Sequence, residues 1–192
     1  MRRRWAVVGL AVLVLALGIA ANVTEARLLP YGPTSVSASL GQDVQVSPFR
    51  LHVTGAQAAT TVTDPGLFGD ATTIDSDGVW VVVDLSYATV DTIRSPAAGG
   101  ILVRDPSGRA YPVSNRSPAT EWLAGADTWV GGQLAFEVAP DALAGLVLEF
   151  APSSTLYGPM PNTYALIPLD LDGTLVDNVE LVDAEPLAAG ER

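Results

Sequence analysis

The chain has 192 residues with ten Arg, no Lys, no Cys and one His, and its 21 Asp and Glu leave a formal charge of −11. Those counts exclude disulfides, thiolate metal sites, thiol nucleophiles, Schiff-base and P-loop lysines, and two-histidine zinc centres such as HExxH. So acidic a chain is also unsuited to a phosphate backbone, and nucleic acid is not an expected partner.

Taken in chain order, the first element is residues 5–21, WAVVGLAVLVLALGIAA, an uncharged apolar run behind Arg2, Arg3 and Arg4. A membrane-spanning helix needs about 17–25 such residues, whereas the apolar core of a signal peptide has about 7–15. With Asn22 and Val23 at the interface, residues 5–23 are expected to form a transmembrane anchor, so the membrane is the first expected partner. A cleaved signal peptide is the alternative, with Gly18-Ile19-Ala20 or Thr24-Glu25-Ala26 as loose cleavage sites. In either case the arginines keep residues 1–4 cytoplasmic and send the rest of the chain outside. Residues 22–192 then hold seven Arg against all 21 acids, a formal charge of −14. Residues 24–40, punctuated by Pro30, Gly32 and Pro33, are expected to be an extended tether. Asn22-Val23-Thr24 is formally a glycosylation sequon but lies against the expected membrane face.

Strand patterning begins at VQVSPFRLHV (44–53) and is strongest in VWVVVDLSYATV (79–90), both rich in β-branched residues. ILVRD (101–105), RAYPV (109–113), TWVGGQLAFEV (128–138), LVLEF (146–150), TYALIPL (163–169) and TLVDNVEL (174–181) continue the series. Turn signals at Asp77-Gly78, 105–108, Gly131-Gly132 and Asp172-Gly173 separate them. Apart from a short helical turn at Asp141–Ala144, entered from Pro140, no helix is expected after the anchor. The pattern predicts an all-β sandwich or barrel over residues 41–182, followed by a flexible tail at 183–192. Loops 54–78 and 114–127 exceed the usual length of about 4–6 residues and are the expected places for function.

Four groups of residues raise chemical possibilities. ALIPLDLDGTLVDN (165–178) resembles the nucleophile motif of haloacid-dehalogenase-like phosphatases, with Asp170 and Asp172 in the nucleophile and acid/base places. That chemistry needs a doubly wound parallel sheet and a later cation. Only 20 residues follow Asp172, and Arg192 is the sole cation among them, so a hairpin turning at Asp172-Gly173 is expected instead. Asp64, Asp70, Asp75 and Asp77 offer oxygen ligands to Ca²⁺, but their spacing is not that of the DxDxDG loop, and turn formation is the expected role. His52 lies in a strand pattern without a GxSxG elbow and is expected to be structural. Glu121 and Asp127 form the kind of carboxylate pair a glycosidase uses, though such pairs abound in acidic domains. Among the tryptophans, Trp80 is expected in the core. Trp122 is divided between the core, which leads, and an exposed partner-binding anchor.

The order LGQDVQVSPFRLHVTGA, GVWVVVDLSYATV, ILVRDPSGRAY and VGGQLAFEVAPDALAGLVLEF, over residues 40–150, resembles the uncharacterised telokin-like, immunoglobulin-like extracytoplasmic domains of bacteria. The shared features are a "DxxGxxY" hairpin at Asp105, Gly108 and Tyr111 and a closing "FEVP"-like strand, here Phe136, Glu137, Val138, Ala139 and Pro140. A departure is Ser86-Tyr87-Ala88-Thr89, which continues the central strand where the family turns. The resemblance implies an immunoglobulin-like antiparallel β-sandwich outside the cytoplasm, and it implies no reaction. The expected function is a single-pass, membrane-anchored interaction or assembly module for another membrane or cell-envelope protein, with no catalytic residue, cofactor or metal ligand. The alternative is an extracytoplasmic ligand-binding domain or hydrolase acting on carbohydrate or Ca²⁺-linked ligands through carboxylates.

Overall fold

The computed structural model describes residues 2–28, 33–66, 70–97, 99–116, 122–152 and 163–192, with side chains of its N-terminal helix described over 9–24. That helix, α1, spans Arg2–Leu28 and so overruns the expected 5–23. ANVTEARL contains good helix formers and no proline or glycine, so nothing local stops the helix at Asn22. Thr24 Oγ1 donates back to the Ala20 carbonyl at 2.8 Å, which puts the sequon inside helix. Leu10, Val12, Leu13, Val14, Leu15, Leu17 and Ile19 are all more than half exposed, on every side of the helix. Among the described residues no helix is long and apolar enough to cross a membrane. The side chains described over 9–24 span about 24 Å at 1.5 Å per residue, against a hydrocarbon layer of roughly 30 Å.

Among the described residues the strands are β1 (Thr34–Ser37), β2 (Asp43–Val46), β3 (Phe49–Asp64), β4 (Thr72–Thr89), β5 (Ile101–Arg104), β6 (Ala110–Pro112), β7 (Val130–Val138), β8 (Val147–Phe150), β9 (Thr163–Pro168), β10 (Leu175–Glu180) and β11 (Glu185–Pro186). One sheet has the order β1-β9-β8-β5-β6; the other runs β10-β3-β4-β7-β11, with β2 also paired to β3. Val103, Leu148, Phe150 and Ile167 of the first sheet meet Val81, Val83, Tyr87 and Phe136 of the second in one buried cluster, so the fold is a β-sandwich. Phe49 sits edge-on to both Tyr87 and Phe150, with ring centroids 5.6 and 5.8 Å away.

The expected purely antiparallel arrangement is corrected at two strands: β1 runs parallel to β9, and β10 parallel to β3. Both involve segments whose partners the sequence misplaces. Residues 34–37 belong to the first sheet rather than to a tether at 24–40, because Val36, Ala38 and Leu40 pack against the core. The Asp172-Gly173 segment is a crossover and not a hairpin, since β9 lies in one sheet and β10 in the other. Leu169 is buried at the end of β9 and donates its N–H to the Leu146 carbonyl, after which Asp170, at φ 48°, turns the chain toward the second sheet.

Three further expectations change. VQVSPFRLHV is a hairpin, with Asp43 to Val46 paired against Phe49 to His52 around the cis Ser47–Pro48 peptide, because Pro48 has no N–H to continue a strand. The expected 54–78 loop is mostly the long β3–β4 hairpin, whose Thr-rich arms pair Thr61 to Asp64 with Asp75 to Thr72. The tail at 183–192 carries β11, paired to Val130 and Gly131 of β7. Strand β4 explains its own unbroken apolar run: Val81, Val83 and Leu85 face the sandwich core, while Trp80 and Val82 are buried on the opposite face by Ala59, Val62, Ala135, Val179 and Leu181. The short helical turn after Pro140 is present as a 3₁₀ turn at Pro140–Ala142.

Candidate functional site

The side chains that collect polar chemistry lie on the outer face of the second sheet, at the β2 end. Strand register aligns Asp43 with His52, His52 with Ser86, Ser86 with Gly131, and Gly131 with Glu185, forming one row across five strands. Register partners share a face of the sheet, and the alternate residues Val44, Leu51, Leu85 and Val130 point into the core. His52 Nδ1 lies 2.8 Å from Asp43 Oδ1, an orienting pair. Two residues along, on the same face, Gln133 Nε2 donates to Asp84 Oδ1 at 2.7 Å and its Oε1 accepts from the Val182 N–H, which fixes both side chains.

Residues after β11 return over this row. The Leu187 N–H donates to the Trp129 carbonyl, Arg192 stacks over the Trp129 ring at 5.4 Å, and the Arg192 guanidinium reaches Asp43 Oδ2 at 3.1 Å. Gly131 and Gly132 make room for the returning chain: a Cβ at Gly131 would meet Leu187 at 3.0 Å, and one at Gly132 would meet Ala184 at 2.8 Å. The residues expected to be a loose tail are therefore a strap tied at both edges of the sheet. Beneath it lies a cavity of about 250 Å³, bounded by Thr54, Asp84, Ser86 and Gln133 on the sheet side and by Glu185 and Arg192 on the strap side. Sequence reasoning missed this site because its members are scattered from residue 54 to 192. The one local signal was Ser86, where the strand pattern of residues 79–90 runs on unbroken.

The residues singled out in sequence are not brought together. Trp122 is only 5% exposed, stacked on Tyr87 with centroids 5.5 Å apart, and its carbonyl accepts the Tyr87 hydroxyl at 2.6 Å. It thus supports the loop from within, and the anchor reading is corrected. Glu121 lies outside the described residues, while Asp127 pairs with Arg50 at 2.8 Å. Asp64 Oδ1 accepts the Gly66 N–H, a turn-forming bond, and among the described residues no group of three His or carboxylate side chains is placed to hold a metal ion. Asp172 accepts the Thr174 N–H at 2.8 Å; that bond, with one from the Thr174 side chain, lowers its carboxyl below the usual range. Asp170 and Asp172 lie on a crossover rather than beyond the end of a central parallel strand, the place the phosphatase chemistry requires. Trp80 is fully buried as expected; its indole N–H donates to the Ile74 carbonyl, and Arg116 covers its ring at 5.5 Å.

At the opposite sheet, Asp105 closes the β5–β6 hairpin of the expected "DxxGxxY" motif. Its carboxylate accepts from Ser107 Oγ at 2.7 Å and from the Arg109 N–H at 2.9 Å and pairs with the Arg109 guanidinium, which also reaches Asp141. These bonds are structural.

Two exposed apolar side chains stand out beside these polar groups. Ile93 is 72% and Leu123 67% exposed, on separate loops joined where the Arg94 and Ala124 backbones exchange two hydrogen bonds of 3.1 Å.

No family model matches the chain, and no curated protein matches it. Among solved structures, the chain is similar to the yjhA protein of Bacillus subtilis at 14% identity, covering 69% of this chain and 99% of that one, with a TM-score of 0.47. It is similar to the secreted protein MPT63 of Mycobacterium tuberculosis at 13% identity, 70% and 97% coverage, and a TM-score of 0.46. An uncharacterised β-sandwich protein of Clostridium difficile 630 is similar at 8% identity, 71% and 95% coverage, and a TM-score of 0.43.

Proposed function

We propose that the chain is an extracytoplasmic β-sandwich, held at the membrane by residues 5–23, that docks another cell-envelope protein through the loop end bearing Ile93 and Leu123. The observation that carries the docking is the exposure of these two side chains on a supported platform. Removing large apolar groups from water on binding is favourable, and a rigid base lowers the ordering cost. That base is the Arg94–Ala124 backbone pair, the Tyr87–Trp122 stack and the Thr89 hydroxyl bonded to the Thr92 carbonyl. The membrane placement is supported by Arg2, Arg3 and Arg4 preceding an uncharged run. A helix apolar on every side calls for an apolar surround.

A photo-crosslinking residue at Leu123, in native membranes, tests the docking. One discrete adduct that Ile93→Ser weakens is the expected result; adducts no stronger than those from a crosslinker at Val182 would overturn it. The absence of Cys makes topology equally direct. A single cysteine introduced at Thr174 should react with a membrane-impermeant maleimide in intact cells, and N-terminal sequencing separates an anchor from a cleaved signal.

A further inference from the structure

We propose that the partner docked by Ile93 and Leu123 is an integral membrane protein, met at the level of the bilayer surface. This rests on the docking and anchoring proposed above and names the class of the partner. Strand register identifies the end of the sandwich on which the two side chains lie. Thr34, the first residue of β1, pairs with Thr163 of β9; two residues further along, Ala165 pairs with Phe150 of β8, which pairs with Ile101 of β5. In the second sheet the same end holds Phe49 and Tyr87, whose ring centroids lie 5.8 and 6.2 Å from that of Phe150. Strand β4 leaves the sheet there at Thr89, and bridges of Thr89 to Ala126 and of Arg94 to Ala124 gather the loops of Ile93 and Leu123 beyond it. The Ala97 N–H donates to the Pro152 carbonyl, which ties the first of these loops to the end of β8. The docking face is therefore at the end where the chain enters the sandwich from α1.

Covalent reach limits the height of that end. Helix α1 finishes at Leu28 and β1 starts at Thr34, so the chain between them spans at most about 21 Å even when fully extended. Residues 24–28 add about 8 Å of helix beyond the expected anchor, which keeps the start of β1 within about 30 Å of the hydrocarbon layer. What meets a face held there is the extracytoplasmic rim of a protein embedded beside the anchor. Charge fits the same occupant. The charges flanking the two apolar side chains cancel in pairs, Arg94 with Asp91 at 2.9 Å and Arg50 with Asp127 at 2.8 Å, although residues 22–192 carry −14. An acidic domain thus presents an apolar patch without net charge, and it docks without like-charge repulsion. The bilayer itself fits less well. Two side chains flanked by carboxylates offer little apolar area for insertion, and anionic headgroups repel the domain as a whole.

The test uses the full chain in native membranes with the photo-crosslinker at Leu123, followed by carbonate extraction. The adduct's protein is expected to stay in the membrane pellet. A second form of the chain carries ten prolines inserted after Tyr31, a stiff spacer of about 31 Å that lifts the sandwich without touching it. The spacer is expected to reduce the adduct to the level given by a crosslinker at Val182, with the Tm of the domain unchanged. Orientation is read separately in phosphatidylcholine vesicles bearing a headgroup-linked acceptor, from a fluorophore on a single cysteine at position 123 or 72. Thr72 pairs with Asp64 at the far end of the β3–β4 hairpin from Thr89, so energy transfer should be stronger from 123 than from 72. A discrete adduct that carbonate releases, that the spacer leaves unchanged or that proves to be lipid overturns this inference alone, as does equal or reversed energy transfer. Absence of any discrete adduct overturns the docking and this inference together.

Discussion

Asp105 shows how much one residue can be asked to do by its surroundings. Burial pushes its carboxyl up, but donors from Ser107, the Arg109 side chain and the Arg109 N–H outweigh that and bring it from 3.8 down to about 2. Because the folded value lies below the unfolded one, the stabilisation from Asp105 is fully present above about pH 4 and is lost as the pH falls toward 2. Melting temperatures measured from pH 2 to 6 should therefore show Asp105→Asn less stable than the wild type above pH 4, with the gap closing in acid. A gap constant with pH would assign the effect to shape alone. The sequence exposed this residue through its Asp-Pro-Ser-Gly turn, since an aspartate at that position bonds backbone N–H groups within the same few residues. Ser86 was not legible in the same way, because its surroundings come from three other strands.

At the scale of elements, what decides legibility is whether the signal is local. Val44-Gln45-Val46 pairs as its alternation predicts, and Ile101-Leu102-Val103 as its short apolar run predicts. The segment Gly55-Ala56-Gln57-Ala58-Ala59 has little β preference, yet lies mid-strand in β3, where β4 pairs with all five residues and β10 joins at Ala58 and Ala59. Two glycines here give a paired prediction. Gly78 lies within the register break between Asp75 and Trp80, and a Cβ there would lie 2.2 Å from the Val138 carbonyl oxygen. Gly78→Ala should cost about 1–3 kcal/mol by urea unfolding, the usual range for overpacking. A Cβ at Gly55 meets nothing within 4 Å. Gly55→Ala should stabilise by about 0.4–1 kcal/mol, through a less flexible unfolded chain. The turn at Asp172-Gly173 was misread for the opposite reason: a strong turn dipeptide says that the chain bends, while its destination depends on which sheet has a free edge.

For the whole molecule, the strap decides whether the outer face of the second sheet is bare or covered. Arg192 is about half exposed, so its ion pair with Asp43 and its contact with Trp129 contribute less than about 1 kcal/mol to global stability. Arg192→Ala should leave the melting temperature almost unchanged while speeding hydrogen exchange at the Leu187 N–H and altering Trp129 emission; unchanged exchange would show that the strap is held by β11 alone. By itself the sequence determined the acidic charge, the absence of thiol and lysine chemistry, the apolar run behind three arginines, and an all-β domain, since these follow from composition and from periodicity within a few residues. Only the tertiary structure decided that Trp122 faces inward, that β1 and β10 run parallel to their partners, and that residues 183–192 close over Ser86. Strand alternation says which side chains share a face, but not which strand lies alongside or what covers the sheet. Those outcomes depend on apolar contacts between residues far apart in the chain.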